Sequence, residues 1–151
     1  MVKQSIHLQR AARWIVGAVL IAAITATPTH AQQPPQWPQT FYGSVEVNGQ
    51  PAAVGAQIAA RGAGVTIPAP NNPLTVTVAG RYGGPTFGDP KLAVQGIIAV
   101  GTPVEFYVDG VKAECARPGG PWQSSYPFTA GDITELNLRV KHRLYLPLVL
   151  R

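Results

Sequence analysis

The chain has 151 residues, 46% of them hydrophobic and only 13% charged, and twelve Lys and Arg outnumber seven Asp and Glu for a net charge of +5. Three of those cations fall in the first 13 residues, so residues 32–151 carry an excess of only +2 and no Lys/Arg run; this excludes the basic footprint of a nucleic-acid-binding surface. One cysteine excludes an intrachain disulfide, and with three histidines it excludes a Cys/His metal set.

The N-terminus has three parts. Lys3, Arg10 and Arg13 make it positive, with no acidic residue before Glu46. Trp14 to Ala26 is an uncharged apolar run of 13 residues, short of the ~20 that span a bilayer as a helix. Thr29-His30-Ala31 then puts small residues at the first and third positions of a cleavage site. The pattern predicts a signal peptide over 1–31, helical in its apolar run and cleaved after Ala31; an uncleaved anchor is the alternative. Cleavage removes His7 and His30 and leaves His142. No later segment reaches membrane length. The expected protein is therefore secreted or held at the cell surface, and meets the membrane only through its signal.

Residues 32–39, QQPPQWPQ, form a Pro-rich leader, expected to be extended, without ladder bonds, and to act as a stalk or spacer. From Phe41 the chain turns to short alternating runs cut by Gly, Pro and Asn, with no sustained 3.6-residue apolar period. In FYGSVEV, Phe41, Val45 and Val47 point inward; Asn48 and Gly49 then supply a tight hairpin turn. Ala53 to Ala60 reads as a second strand with Val54, Ala56 and Ile58 inward. A short piece follows at 65–67, then a loop at 68–73. LTVTVAG places Leu74, Val76 and Val78 inward. Residues 80–90 read as a long irregular turn region, and 91–100 as another strand.

The clearest local signal is VEFYVDGVKAEC. Val104, Phe106 and Val108 share a face, Asp109 and Gly110 form a two-residue hairpin turn, and Val111, Ala113 and Cys115 share the inner face of the return strand. Cys115 thereby reads as a buried hydrophobe, with a reactive or intermolecular thiol as the alternative. In ITELNLRV, Leu136, Leu138 and Val140 point inward; Glu135, Asn137 and Arg139 point outward. The predicted fold is all-β: an antiparallel immunoglobulin-like or transthyretin-like β-sandwich of 7–8 strands over residues 40–140, after an N-terminal signal helix. A small barrel is the second choice.

Residues 141–151 form an apolar C-terminal strand or tail. Leu144, Leu146, Leu148 and Leu150 continue the even-numbered inner face of the last strand, with only His142 interrupting. A single strand from 134 to 150 would run about 55 Å, so the chain bends near Lys141 to Arg143 or leaves its own domain. The tail is then an edge strand in cis, a donor strand for a neighbouring chain, or a sorting signal.

The stretch FYGSVEVNGQPAAVGAQIAA resembles the opening of carboxypeptidase-regulatory-like domains, also called transthyretin- or prealbumin-like. Gly43, Val45, Asn48, Gly49, Pro51, Gly55 and Ala56 fit its strand and turn motifs; Gly80-Arg81-Tyr82 is similar to a later turn, and Val94 to Gly96 is also similar. The likeness covers about residues 40–140. It implies a module of secreted bacterial and archaeal surface proteins, mostly non-catalytic, and carries no catalytic residue with it.

The residue inventory points the same way. His142 lies between Lys141 and Arg143 and reads as a basic linker, with a general base as the alternative. Asp89, Asp109 and Asp132 read as turn residues. Asp132 and Glu135 could contribute oxygen ligands to a loop calcium site, but there is no D-x-D cluster. An isopeptide bond needs a Lys on the first strand, which has none, and Asn137 has outward parity. Hence no cofactor, no metal and no enzyme activity are expected. The expected role is a structural or interaction module at the cell surface, with itself or another surface protein as partner through the C-terminal strand. The alternative is a carbohydrate-binding module whose loop aromatics, Trp122, Tyr126 and Tyr82, stack on sugar rings.

Overall fold

The structure is a computed structural model and describes residues 36–141, which lie in the second of two compact units of the chain, Gln33–Arg151. The predicted signal, the start of the leader, His142 and the leucines of the tail lie outside the described residues.

Eleven strands occur among the described residues: β1 (Gln39–Val47), β2 (Gln50–Pro51), β3 (Gln57–Arg61), β4 (Leu74–Thr75), β5 (Arg81–Tyr82), β6 (Leu92–Val94), β7 (Pro103–Val108), β8 (Val111–Ala116), β9 (Tyr126–Pro127), β10 (Ile133–Glu135) and β11 (Asn137–Val140). They form one hydrogen-bonded path, β10-β1-β11-β8-β7-β3-β4, with β2, β5 and β6 also on β1 and β9 on β7. The fold is all-β and largely antiparallel.

Two long strands organise it, each changing partners along its length. The first half of β1 lies between β6, antiparallel with Phe41 opposite Leu92, and β10, parallel with Phe41 opposite Thr134. Its second half lies between β2 and β11, the latter parallel with Val45 opposite Leu138. Likewise β7 pairs with β9 at Val104 and with β8 from Phe106 onward. A strand that passes between neighbours in this way curls the sheet. The curl is drawn further round where Val65, just past β3, bridges Gly96, just past β6, and the Thr66 N–H donates to the Gln95 carbonyl at 2.9 Å. The result is a half-barrel around one core.

That core follows the two-residue alternation of the strands. Phe41, Val45, Ile58, Ala60, Val104, Phe106, Val108, Ala113, Cys115, Leu136, Leu138 and Val140 are all buried. The Phe41 ring meets Phe106 edge-on at 5.1 Å and Tyr126 at 5.9 Å. Burying side chains of this size contributes roughly 1.5–3 kcal/mol each. The hairpin turns have the left-handed backbone their residues suit. Asn48 and Gly49 have φ of 53° and 75°, and Asp109 and Gly110 have φ of 48° and 81°. Asp109 does a second job, since its Oδ1 accepts from the Gln57 N–H at 2.8 Å and so ties β3 to the hairpin.

Several expectations need correction. The described residues hold eleven strands, not seven or eight, because strands of two residues at β2, β4, β5 and β9 are too short to show a period in sequence. The sheet is not wholly antiparallel, since β1 runs parallel to both β10 and β11. The strand expected at 53–60 begins only at Gln57: Ala53–Ala56 is a turn closed by the Ala56 N–H on the Ala53 carbonyl, and Val54 is 64% exposed instead of inward. Val78 is turned out in the same way at the Val78–Arg81 turn. The strand expected at 91–100 stops at Val94, and Ile97 and Val100 are exposed.

The end of the leader is not a free stalk. Gln39 opens β1 and is fully buried. Its Nε2 donates to Thr134 Oγ1 and its Oε1 accepts from the Thr129 N–H at 2.9 Å, while Gln36 Oε1 accepts from the Ile98 N–H at 3.0 Å. Both amide ends of a buried Gln are thus satisfied, which is the condition for burying it.

Candidate functional site

The junction of β1, β5 and the β10–β11 break builds the most featured part of the surface. Arg81 and Tyr82 pair with Ser44 and Gly43. Strand alternation then sends the Tyr82 ring inward and the Arg81 guanidinium outward. Tyr82 is fully buried, and its hydroxyl donates to the Leu136 carbonyl at 2.6 Å. Burial in this apolar core pushes the phenol well above its ordinary pKa, with the nearby Cys115 adding to the shift. Leu136 sits between β10 and β11, where the parallel ladder with β1 is interrupted. Its N–H donates to the Tyr42 carbonyl at 2.8 Å, and Asn137 Oδ1 accepts from the Ser44 N–H at 3.1 Å. Side chains therefore complete the bonding across the gap. Gly43 is required here, because a Cβ at that position would lie 2.3 Å from the Leu136 oxygen.

On the outer side of this junction lie two hollows of about 290 and 330 Å³, which share Arg81, Gly83 and Pro85. Tyr42, Ser44, Glu135 and Asn137 line one, and Thr77 and Asp89 the other. The wall at 84–90 is braced. Asp89 Oδ2 accepts from the Thr86 N–H at 2.9 Å and from the Thr86 hydroxyl, and Lys91 Nζ donates to the Thr86 carbonyl at 2.6 Å. These Thr86 bonds, then the positive charges of Lys91 and Arg81, hold the Asp89 carboxyl below its ordinary pKa. Phe87 stands fully exposed on the same loop.

The outer face of β3, β7, β8 and β11 is a ribbon of matched charges and rings. Arg61 lies over the Tyr107 ring at 4.6 Å. Glu105 accepts from Lys112 Nζ at 2.6 Å and from the Tyr107 hydroxyl at 2.7 Å, and both bonds depress its pKa. Glu114 accepts from Arg139 Nε at 2.6 Å, and the Arg139 guanidinium lies 4.0 Å above the Trp122 ring. Such exposed pairs contribute little to stability; their effect is to keep this face charged and internally paired.

The three aromatics expected to bind sugars do not converge. Tyr82 has no exposed ring to offer and is a core pillar, so its assignment as a stacking residue is corrected. Tyr126 is only 9% exposed and packs on Phe41, with Arg117 Nε donating to its hydroxyl at 2.6 Å. Trp122 is 38% exposed, and Arg139 occupies one face of its indole. The residues sequence reasoning passed over are Arg81, Ser44 and Asn137. The available signal was the glycine-rich GRYGGP run and the alternation within it, which puts Arg81 outside whenever Tyr82 is inside.

The chemically versatile groups are engaged in structure. Cys115 is buried in the core, and desolvation pushes its thiol up to about 11, the reverse of an activated nucleophile. Among the described residues no group of three or more His, Cys, Asp and Glu is placed to hold a metal ion, and no helix is long and apolar enough to cross a membrane. Compared with known proteins, the chain matches no family profile, no curated protein and no solved structure.

Proposed function

We propose that the chain is an exported, non-catalytic β-sandwich module that works by binding, as a structural or interaction part of a cell-surface assembly. The observation that carries this reading is the use made of the reactive side chains. Cys115 and Tyr82 lie in the core, Asp89 and Asp109 hold turns, and Glu105 and Glu114 are paired with Lys112 and Arg139. A hydrolase needs a nucleophile beside a base with an orienting partner, and these groups are committed elsewhere. The three-part N-terminus supports export. The NG turn at Asn48-Gly49 and the half-barrel built on it support a carboxypeptidase-regulatory-like, transthyretin-like type. The leucine-rich tail supports a protein partner, either a second copy or another surface protein.

Two measurements test the reading. Expressed with its own leader, the protein is expected outside the cytoplasm with Gln32 as its first residue, read by mass spectrometry. Sedimentation of the purified protein is expected to show concentration-dependent association that disappears when residues 143–151 are removed. A shortened protein that stays folded and associates equally would remove the tail from the argument. Turnover of an ester, peptide or glycoside that is lost on substituting one described residue would overturn the non-catalytic reading.

A further inference from the structure

The paired hollows beside β5 differ from the rest of the surface in one respect: apart from Asp89, most of their polar side-chain groups have no side-chain partner. On the β3–β7–β8–β11 face nearly every charge has a partner. In the hollows, the Arg81 guanidinium, the Glu135 carboxylate, the Tyr42 and Ser44 hydroxyls and the Asn137 Nδ2 have no side-chain hydrogen bond or ion pair among the described residues. Asn137 is held in one orientation, because its Oδ1 already accepts from the Ser44 N–H; its two amide hydrogens remain to be used. The loop wall is held by the Asp89–Thr86–Lys91 bonds, so the concavity does not have to be ordered on binding, which lowers the cost of association.

We infer that this cleft, with Arg81, Glu135, Asn137, Ser44 and Tyr42 around it, is a binding site for a neutral glycan. The charge pattern selects the class. An anionic ligand would meet Arg81 but also Glu135 and Asp89, and a cationic one would meet both carboxylates but also Arg81. A neutral polyol suits the mixture, because each sugar hydroxyl can donate to a carboxylate and accept from a guanidinium or amide at once. Tyr42 is half-buried and lines the same hollow, and an aromatic ring in a polar wall is the form that packs against a pyranose. Trp122 is not among the residues that line the cleft, and the proposal stands or falls independently of the protein-partner reading above.

The test is titration of the isotopically labelled protein with neutral cello-, manno- and xylo-oligosaccharides at millimolar concentrations, followed by amide NMR. At least one series is expected to shift the amides of Tyr42, Ser44, Gly83 and Asn137 saturably, a readout that needs no variant. Arg81→Ala and Glu135→Gln, each exposed and each with a native amide spectrum elsewhere, are expected to weaken that binding about tenfold or more, while Trp122→Ala leaves it unchanged. Three results would overturn the proposal: no saturable shift with any neutral series, binding confined to sulfated or uronic-acid oligosaccharides or to charged peptides, or neutral-sugar binding that survives both substitutions and maps to Trp122.

Discussion

Cys115 and Tyr82 are weak acids placed where their charged forms are most costly. Both lie in the core, and desolvation raises both pKa values, Cys115 to about 11. Each is neutral when protonated, so the folded state favours the proton more than the unfolded chain does. Their contribution is complete below the unfolded thiol and phenol values and is lost as pH rises towards the folded ones. The urea midpoint is therefore expected to hold up to about pH 8 and to fall between about pH 9 and 11. Thiol labelling gives a sharper check. Cys115 should resist a disulfide reagent at neutral pH in the native protein and react fully in denaturant. Fast native labelling would place the sulfur at the surface and contradict its position opposite Leu138.

At the scale of the element, the β1–β5–β10/β11 junction depends on one missing side chain. A methyl at Gly43 would press on the Leu136 carbonyl, which also accepts the Tyr82 hydroxyl. Gly43→Ala is expected to cost about 1–3 kcal/mol, the usual range for overpacking, with a further loss from the displaced Tyr82 hydrogen bond; a shift in the denaturant midpoint at constant slope measures it. An unchanged midpoint would show that the strands can separate there without penalty. The same junction marks the limit of what the sequence disclosed. The alternation in VEFYVDGVKAEC and ITELNLRV is long enough to assign faces, and Phe106, Val108, Ala113, Cys115, Leu136 and Leu138 are buried as that alternation requires, but Val111, read inward with Ala113 and Cys115, is 37% exposed where it opens β8 just after the turn. β5 is two residues long, so no period exists to distinguish it from the turn around it, and Tyr82 read as a loop ring. Val54 and Val78 kept the right parity in sequence, but the turns at Gly55 and Gly80 swing them outward. The cleft was hidden for a different reason. Tyr42, Arg81 and Asn137 come from three distant segments, and only the pairing of β1 with β5 and β11 brings them together.

For the molecule as a whole, the defining arrangement is that the first of the described strands is held by the last two of them. Phe41 pairs with Thr134, and Val45 with Leu138, across more than 90 residues of chain. Such pairings form late and slowly, since the long loop must close before they stabilise anything. A chain stopped at Ala130 is expected to lack the cooperative unfolding transition and to be cleaved rapidly by a low dose of protease. A truncated chain that unfolds cooperatively would show that β1 is held well enough by β6, β5 and β2 alone.

Set against the order of synthesis, this closure has a practical outcome. The N-terminus leaves the ribosome first, yet its strand has no parallel neighbours until residues 133–140 have also emerged. Until then the chain lacks the piece that completes its core. A polypeptide that cannot close its first described strand until more than 90 residues later stays open for that whole interval, so chaperones and proteases meet an unlocked chain until β10 and β11 hold β1 in place.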